Sequence, residues 1–205
     1  MERIRFAVAL LIVLAFFGCA QVTQERILQR ASEKAFSFEE INEKESQISE
    51  GYSELLIKVS IKIPQEETYV FKERPPGYEN LQYPFAFNIN GQGVLWLVNR
   101  TFDEQKTYIK HKINPDGGVG LMCRLEKRIR LKSGFYKVYM GLPEEEVETE
   151  VTISLADGSS NVLEFKPIYW WHRTYHRTFR NGISHFDIFF NGKPYLSHNI
   201  HKDGS

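Results

Sequence analysis

Hydrophobic and polar positions alternate over residues 57–63, with Leu55 continuing the apolar side. Leu55, Ile57, Val59, Ile61 and Ile63 fall on one side, Lys58, Ser60 and Lys62 on the other. Successive side chains of a β-strand point to opposite faces, so this pattern predicts a half-buried strand. It returns at Leu121, Cys123, Leu125, Ile129 and Leu131, against Arg124, Glu126, Arg128 and Arg130. It returns again at Val147, Val151, Ile153 and Leu155, against Glu148, Glu150, Thr152 and Ser154. Runs at 83–90, 94–99, 135–141, 162–168 and 184–190 predict further strands. Between them stand Asn90-Gly91, Gly117-Gly118, Ser133-Gly134, Asp157-Gly158, Asn181-Gly182 and Asn191-Gly192. Asn-Gly and Asp-Gly supply the positive φ of tight hairpin turns. Two segments, PFAFNING (84–91) and FDIFFNG (186–192), echo one another as aromatic strands closing in Asn-Gly. Many short strands with frequent turns predict a mainly β chain, an antiparallel sandwich. Residues 64–84, with Pro75-Pro76-Gly77 at their centre, are expected to form a long surface loop.

The pattern differs before residue 51. Phe6 to Phe17 is unbroken apolar sequence behind Arg3 and Arg5. Twelve apolar residues fall short of the roughly 20 that span a bilayer as a helix, and they fit the apolar region of a signal peptide. Gly18 and Cys19 follow directly. This FFGC ending resembles the lipobox of bacterial lipoproteins, in which the cysteine is lipidated and becomes the mature N-terminus. The resemblance implies lipidation of Cys19. Ala20, where Asp would retain the chain at the inner membrane, implies an outer-membrane lipoprotein facing the periplasm. Residues 20–50 are polar, with Leu28, Ala31, Ala35 and Phe38 at helical spacing, and are expected to form a partly ordered helical tether. The expected division is a signal peptide at 1–18, a lipidated N-terminus and tether at 19–50, a β-domain at 51–197 and a tail at 198–205.

About half the chain carries a second resemblance. FNINGQ (87–92), RIRLKSGFYKVYMGLP (128–143) and EVTISLADGSSNVLEFKP (150–167) are similar in order to the PEGA-type small β-sandwich modules of bacterial envelope proteins. That implies an immunoglobulin-like sandwich. Those modules are accessory domains, so the resemblance implies no catalytic residue.

Composition narrows the partners. The chain has 205 residues, with 26 Lys and Arg balancing 26 Asp and Glu. No overall field draws nucleic acid. Two cysteines cannot build a disulfide framework. With Cys19 lipidated, Cys123 stands alone in an alternating apolar run and reads as a small buried hydrophobe. No Gly-x-Ser-x-Gly, His-Glu-x-x-His, Walker loop or Cys-x-x-Cys occurs. The sequence therefore reads as non-enzymatic and needing no cofactor, with an envelope protein or a glycan as partner.

Candidate chemistry is concentrated in YWWHRTYHRTFRNGISHFDIFF (169–190). Six Lys or Arg between Glu164 and Lys202 face only Glu164 and Asp187, with aromatics interleaved. Aromatic faces beside cations suit sugar rings, anionic glycans and lipid headgroups. Trp170, Trp171, Arg173 and Arg177 are thus the candidate ligand-binding residues. The plainer alternative is a rim where one core tryptophan meets a solvated basic edge. His172, His176 and His185 are the candidate metal ligands. On one strand His172 and His176 would stand about 13 Å apart, too far to share an ion, so solvated histidines are the first reading. Glu144, Glu145, Glu146, Glu148 and Glu150 read as a solvated face, with calcium binding as the alternative.

Overall fold

The computed structural model describes residues 25–29, 37–41, 48–64, 82–174, 176–195 and 198–199. The proposed signal peptide, Cys19 and the 65–81 part of the expected loop lie outside them. Each strong alternation in the sequence becomes a strand. In chain order the first are β1 (Glu39–Glu40), β2 (Tyr52–Ile63), β3 (Gln82–Ile89) and β4 (Gln92–Gln105). A small hairpin follows, β5 (Tyr108–Ile109) and β6 (Lys112–Ile113). Then come β7 (Gly118–Lys132), β8 (Gly134–Leu142), β9 (Val147–Leu155) and β10 (Ser160–Tyr169). A second small hairpin, β11 (Trp171–His172) and β12 (His176–Arg177), leads into a 3-10 turn at Phe179–Asn181. The last strands are β13 (Ile183–Phe190), β14 (Lys193–Tyr195) and β15 (His198–Asn199).

The strands form one curled sheet, in the order β14-β13-β10-β2-β7-β4-β3-β8-β9-β15, with β1 also paired to β7. Strand β4 joins its halves. Its residues 92–99 pair with β3, and residues 100–105 pair with β7. The curl brings the inner faces together. Phe87 of β3 meets Phe165 of β10 at 6.0 Å, and Phe165 meets Phe186 of β13 at 6.3 Å. The alternating apolar residues of β2, β3, β7, β8, β9, β10 and β13 share this one core. Among the described residues, the buried side chains of that core lie within residues 55–188.

The expectation of a purely antiparallel arrangement is corrected. Strands β2 and β10 are parallel, from Glu54 opposite Ser160 to Val59 opposite Phe165. The reason lies in the turn before β10. Glu54 N–H donates to the Ser159 carbonyl, Gly158 N–H donates to the Tyr52 carbonyl, and Gly51 N–H donates to Asp157 Oδ1. Both strands therefore leave from the same end and run the same way. The sheet is mixed and curled.

The segment expected as a tether lies against the sheet wherever it is described. Residues 25–28 make a helical turn, and Ile27 is buried. The turn packs close to two outward glycines: a Cβ on Gly93 would meet the Leu28 backbone, and one on Gly141 would meet the Ile27 side chain. Asn88 Nδ2 donates to the Leu28 carbonyl at 3.3 Å, and Arg26 pairs with Glu148. Farther along, Phe38 packs against Trp96, whose Nε1 donates to Glu40 at 2.5 Å. This closes the seam where β4 leaves β7. At the C-terminal end, His198 and Asn199 of the expected tail pair with Glu150 and Thr149 of β9.

Candidate functional site

The direction of the strands decides what meets at each end. Strands β4 and β10 finish, and β7 and β13 begin, at the same end of the sheet, with Gln105 opposite Gly118 and Tyr169 opposite Ile183. The hairpin β5–β6 and the hairpin β11–β12 both leave from there. Their bases are joined, because Phe179 N–H donates to the Pro115 carbonyl at 3.0 Å.

A buried lysine fixes this end. Lys62 was expected on the solvent face of β2, but its side chain is fully buried, because the 103–118 segment folds over it. Its three ammonium protons have three acceptors: Asp103 Oδ2 at 2.7 Å, the Asp116 carbonyl at 2.8 Å and the Gly118 carbonyl at 2.6 Å. Its Nζ also lies 5.0 Å from the centre of the Phe179 ring. Tyr169 Oη donates to Asp116 Oδ1 at 3.0 Å and accepts from Lys62 N–H at 3.2 Å. The Lys62 hydrogen bond holds the Asp103 carboxyl below the ordinary carboxylate range. Burial, with Asp116 beside it, pushes the Tyr169 phenol up. The set is a fully paired polar weld between β2, the β4–β7 connection and β10.

Trp170 and Trp171 are both exposed, at 52% and 62%. The expected rim, with one tryptophan in the core, is therefore replaced by two tryptophans on the surface. Arg173 and Arg177 are exposed beside them, and Trp171 stands directly across the hairpin from Arg177. His172 and His176 are not on one strand, as the 13 Å spacing assumed, but opposite one another across the hairpin. His185 lies on β13, opposite Ile168, with its Nδ1 3.1 Å from Ser184 Oγ. Among the described residues no three metal-ligating side chains converge.

The remaining candidates are placed as follows. Cys123 is buried and free, and burial pushes its thiol up to about 12. Glu144 grips Arg100 with both oxygens, at 2.8 and 2.9 Å. Burial, with Glu144 next to it, raises the Glu145 carboxyl. The outer face of β7, β2 and β10 carries a shallow depression of about 250 Å³ around Ser60, lined by Lys58, Arg124, Glu126, Glu164 and Lys166. Lys58 pairs with Glu126 at 2.5 Å and Lys166 with Glu164 at 3.4 Å, so this is a face of mutually paired charges.

The hairpin β5–β6 was missed in the sequence. Its segment KTYIKHKI (106–113) carries Lys106, Lys110, Lys112 and His111 with no carboxylate. That composition was the available signal. The run is too short and too polar to register as a strand pattern. Comparison with models of known families, with curated proteins and with solved structures finds no match to this chain.

Proposed function

We propose that this chain is a non-enzymatic cell-envelope lipoprotein, held through Cys19 at the outer membrane on the periplasmic side. Its curled β-domain, read as an immunoglobulin-like sandwich, serves as a binding or scaffold module. The observation that carries the reading is the basic, apolar, Gly18-Cys19 order of the first nineteen residues. Two or more acyl chains anchor stably where one does not. The described part of the linker supports a domain held close to the bilayer. Only five residues separate Cys19 from Glu25, so the two stand at most about 22 Å apart. The ligand-binding surface is Trp170, Trp171, Arg173 and Arg177, facing an envelope protein or a glycan. The exposure of both tryptophans favours a glycan such as peptidoglycan as a second reading. A histidine-based metal protein ranks below both.

The test is fatty-acid incorporation and membrane fractionation of the full chain in a bacterial host. The wild type should take up label and sediment with membranes, and Cys19→Ala should do neither. A Cys19→Ala protein that stays labelled or membrane-bound overturns the anchor. Sedimentation with purified sacculi, lost in a folded Trp170→Ala/Trp171→Ala variant, would establish the glycan reading.

A further inference from the structure

The two joined hairpins present one chemistry. Lys106, Lys110, Lys112, Arg173, Arg177 and Arg180 are all exposed, and neither 106–113 nor 170–182 contains a carboxylate. Tyr108 and Ile109 on one hairpin are 62% and 53% exposed, and the other hairpin carries the two exposed tryptophans. We propose that this end of the molecule docks on an anionic phospholipid surface, with both hairpins entering the headgroup layer together. The proposal rests on the envelope reading above and gives the same surface a lipid partner in place of a protein or a glycan.

Three features select a lipid. The first is the side-chain set. Tryptophan and tyrosine settle at the depth of the headgroups, and lysine and arginine are attracted by anionic lipid. An exposed isoleucine offers nothing to a sugar ring, which stacks on flat aromatic faces. The second is the absence of sugar-reading amides. Asn181 Nδ2 is engaged by the Trp170 and His176 carbonyls, and Asn114 is buried and bonded to Gln105 and to the Lys106 carbonyl. The third is the turn between β5 and β6. Lys110 and His111 both have positive φ, at 49° and 64°. The same two-residue geometry is built elsewhere in this chain from Asn90-Gly91 and Asn191-Gly192. Lysine and histidine adopt it at a cost in backbone strain, which places two basic side chains at the tip.

The test uses residues 20–205, which contain every described residue of the core and lack the signal segment. The protein is sedimented with vesicles of phosphatidylcholine alone and of phosphatidylcholine containing one-third phosphatidylglycerol, and separately with sacculi. Binding to the anionic vesicles alone is expected, and it should weaken in high salt as the screening length shrinks. Tryptophan emission should shift to the blue on binding, since Trp96 is already buried and Trp170 and Trp171 are not. Arg173→Gln/Arg177→Gln should lower vesicle affinity about thirtyfold. Ile109→Ser/Trp171→Ser should reduce the blue shift. Folding of each variant is checked by circular dichroism. No binding to anionic vesicles by the folded wild type overturns the proposal, as does unchanged affinity in the folded arginine variant. Binding to sacculi without vesicles also overturns it and assigns the surface to a glycan. Fatty-acid labelling of Cys19 is read independently. An unlabelled chain that still binds vesicles loses the anchor and keeps the docking surface.

Discussion

Lys62 shows how one residue departs from an otherwise correct pattern. Alternation along β2 puts it among the solvent-facing residues with Lys58 and Ser60, yet its side chain has no exposure. Periodicity reports which face a residue occupies, and it cannot report that a distant segment covers that face. Removing one partner of a buried charge pair leaves the other uncompensated. Lys62→Met should therefore cost about 3 kcal/mol in urea denaturation at neutral pH. The pH dependence has a definite sign. Asp103 is held below its ordinary value in the fold, so its contribution is present above the unfolded carboxylate value near pH 4 and is lost as pH falls below it. The variant should lose less stability than the wild type over that acid window. An equal loss in both would remove Lys62 from the role. Cys123 behaves as its apolar surroundings in the sequence indicate. It is buried, its thiol is pushed up to about 12, and the thiolate is the reactive form. In the chain beginning at Ala20 it should resist iodoacetamide at pH 8 and react fully in urea. Rapid labelling of the native protein would contradict this.

Strands and turns are where the sequence was most legible. All eight strand expectations become strands, with 83–90 overrunning the end of β3 by Asn90, because each lines a core that rewards period-two apolar spacing. The two Asn-Gly echoes also have one physical cause. Asn90 N–H donates to the Lys137 carbonyl while its Oδ1 accepts from Lys137 N–H, and Asn191 brackets Val162 in the same way. Each asparagine thus makes the turn and clamps the neighbouring strand, so the echo is shared hairpin chemistry. What was not legible has little or no apolar alternation. Residues 100–105 of β4 are mostly polar, and β5, β6, β11 and β12 have two residues each. The parallel β2–β10 pair depends on contacts about 100 residues apart, and no local pattern records it. The docked turn at 25–28 depends on Gly93, which no pattern in the sequence singles out. A side chain on Gly93 must displace the Leu28 backbone, whereas a side chain on Gly141 would meet only the end of Ile27. Gly93→Val should therefore release residues 25–29 and speed trypsin cleavage after Arg26 about tenfold or more. Burying Ile27 contributes only about 2 kcal/mol, so the melting temperature should fall little. Unchanged cleavage would show that the glycine does not govern docking.

At the scale of the molecule, the docking surface works only if its hairpins keep one geometry, and a single shared core provides that. The halves of the sheet are continuous through β4, and their inner faces meet at Phe165, which touches Phe87 on one half and Phe186 on the other. Trp96 and the 37–41 segment close the remaining seam, with Lys127 Nζ 2.8 Å from Glu40. Lys62 then ties the base of one hairpin to the strand beside the other. Both hairpins leave the half that holds β13, β10, β2 and β7, with β5–β6 between β4 and β7 and β11–β12 between β10 and β13. That half presents all six cations together, and the attraction to an anionic surface grows with each cation that reaches it. Unfolding should accordingly be one transition. Fluorescence of a Trp170→Phe/Trp171→Phe background, which leaves Trp96 to read the seam, and far-ultraviolet dichroism, which reads all strands, should give coincident urea curves. Phe165→Ala should destabilise the whole molecule by about 3–5 kcal/mol without separating the two curves. If the variant or the background instead showed a fluorescence transition at lower urea than the dichroism, the halves would be separable. The two hairpins would then stay joined on the half that holds β10, β2 and β7, and the 25–29 segment would leave with the other.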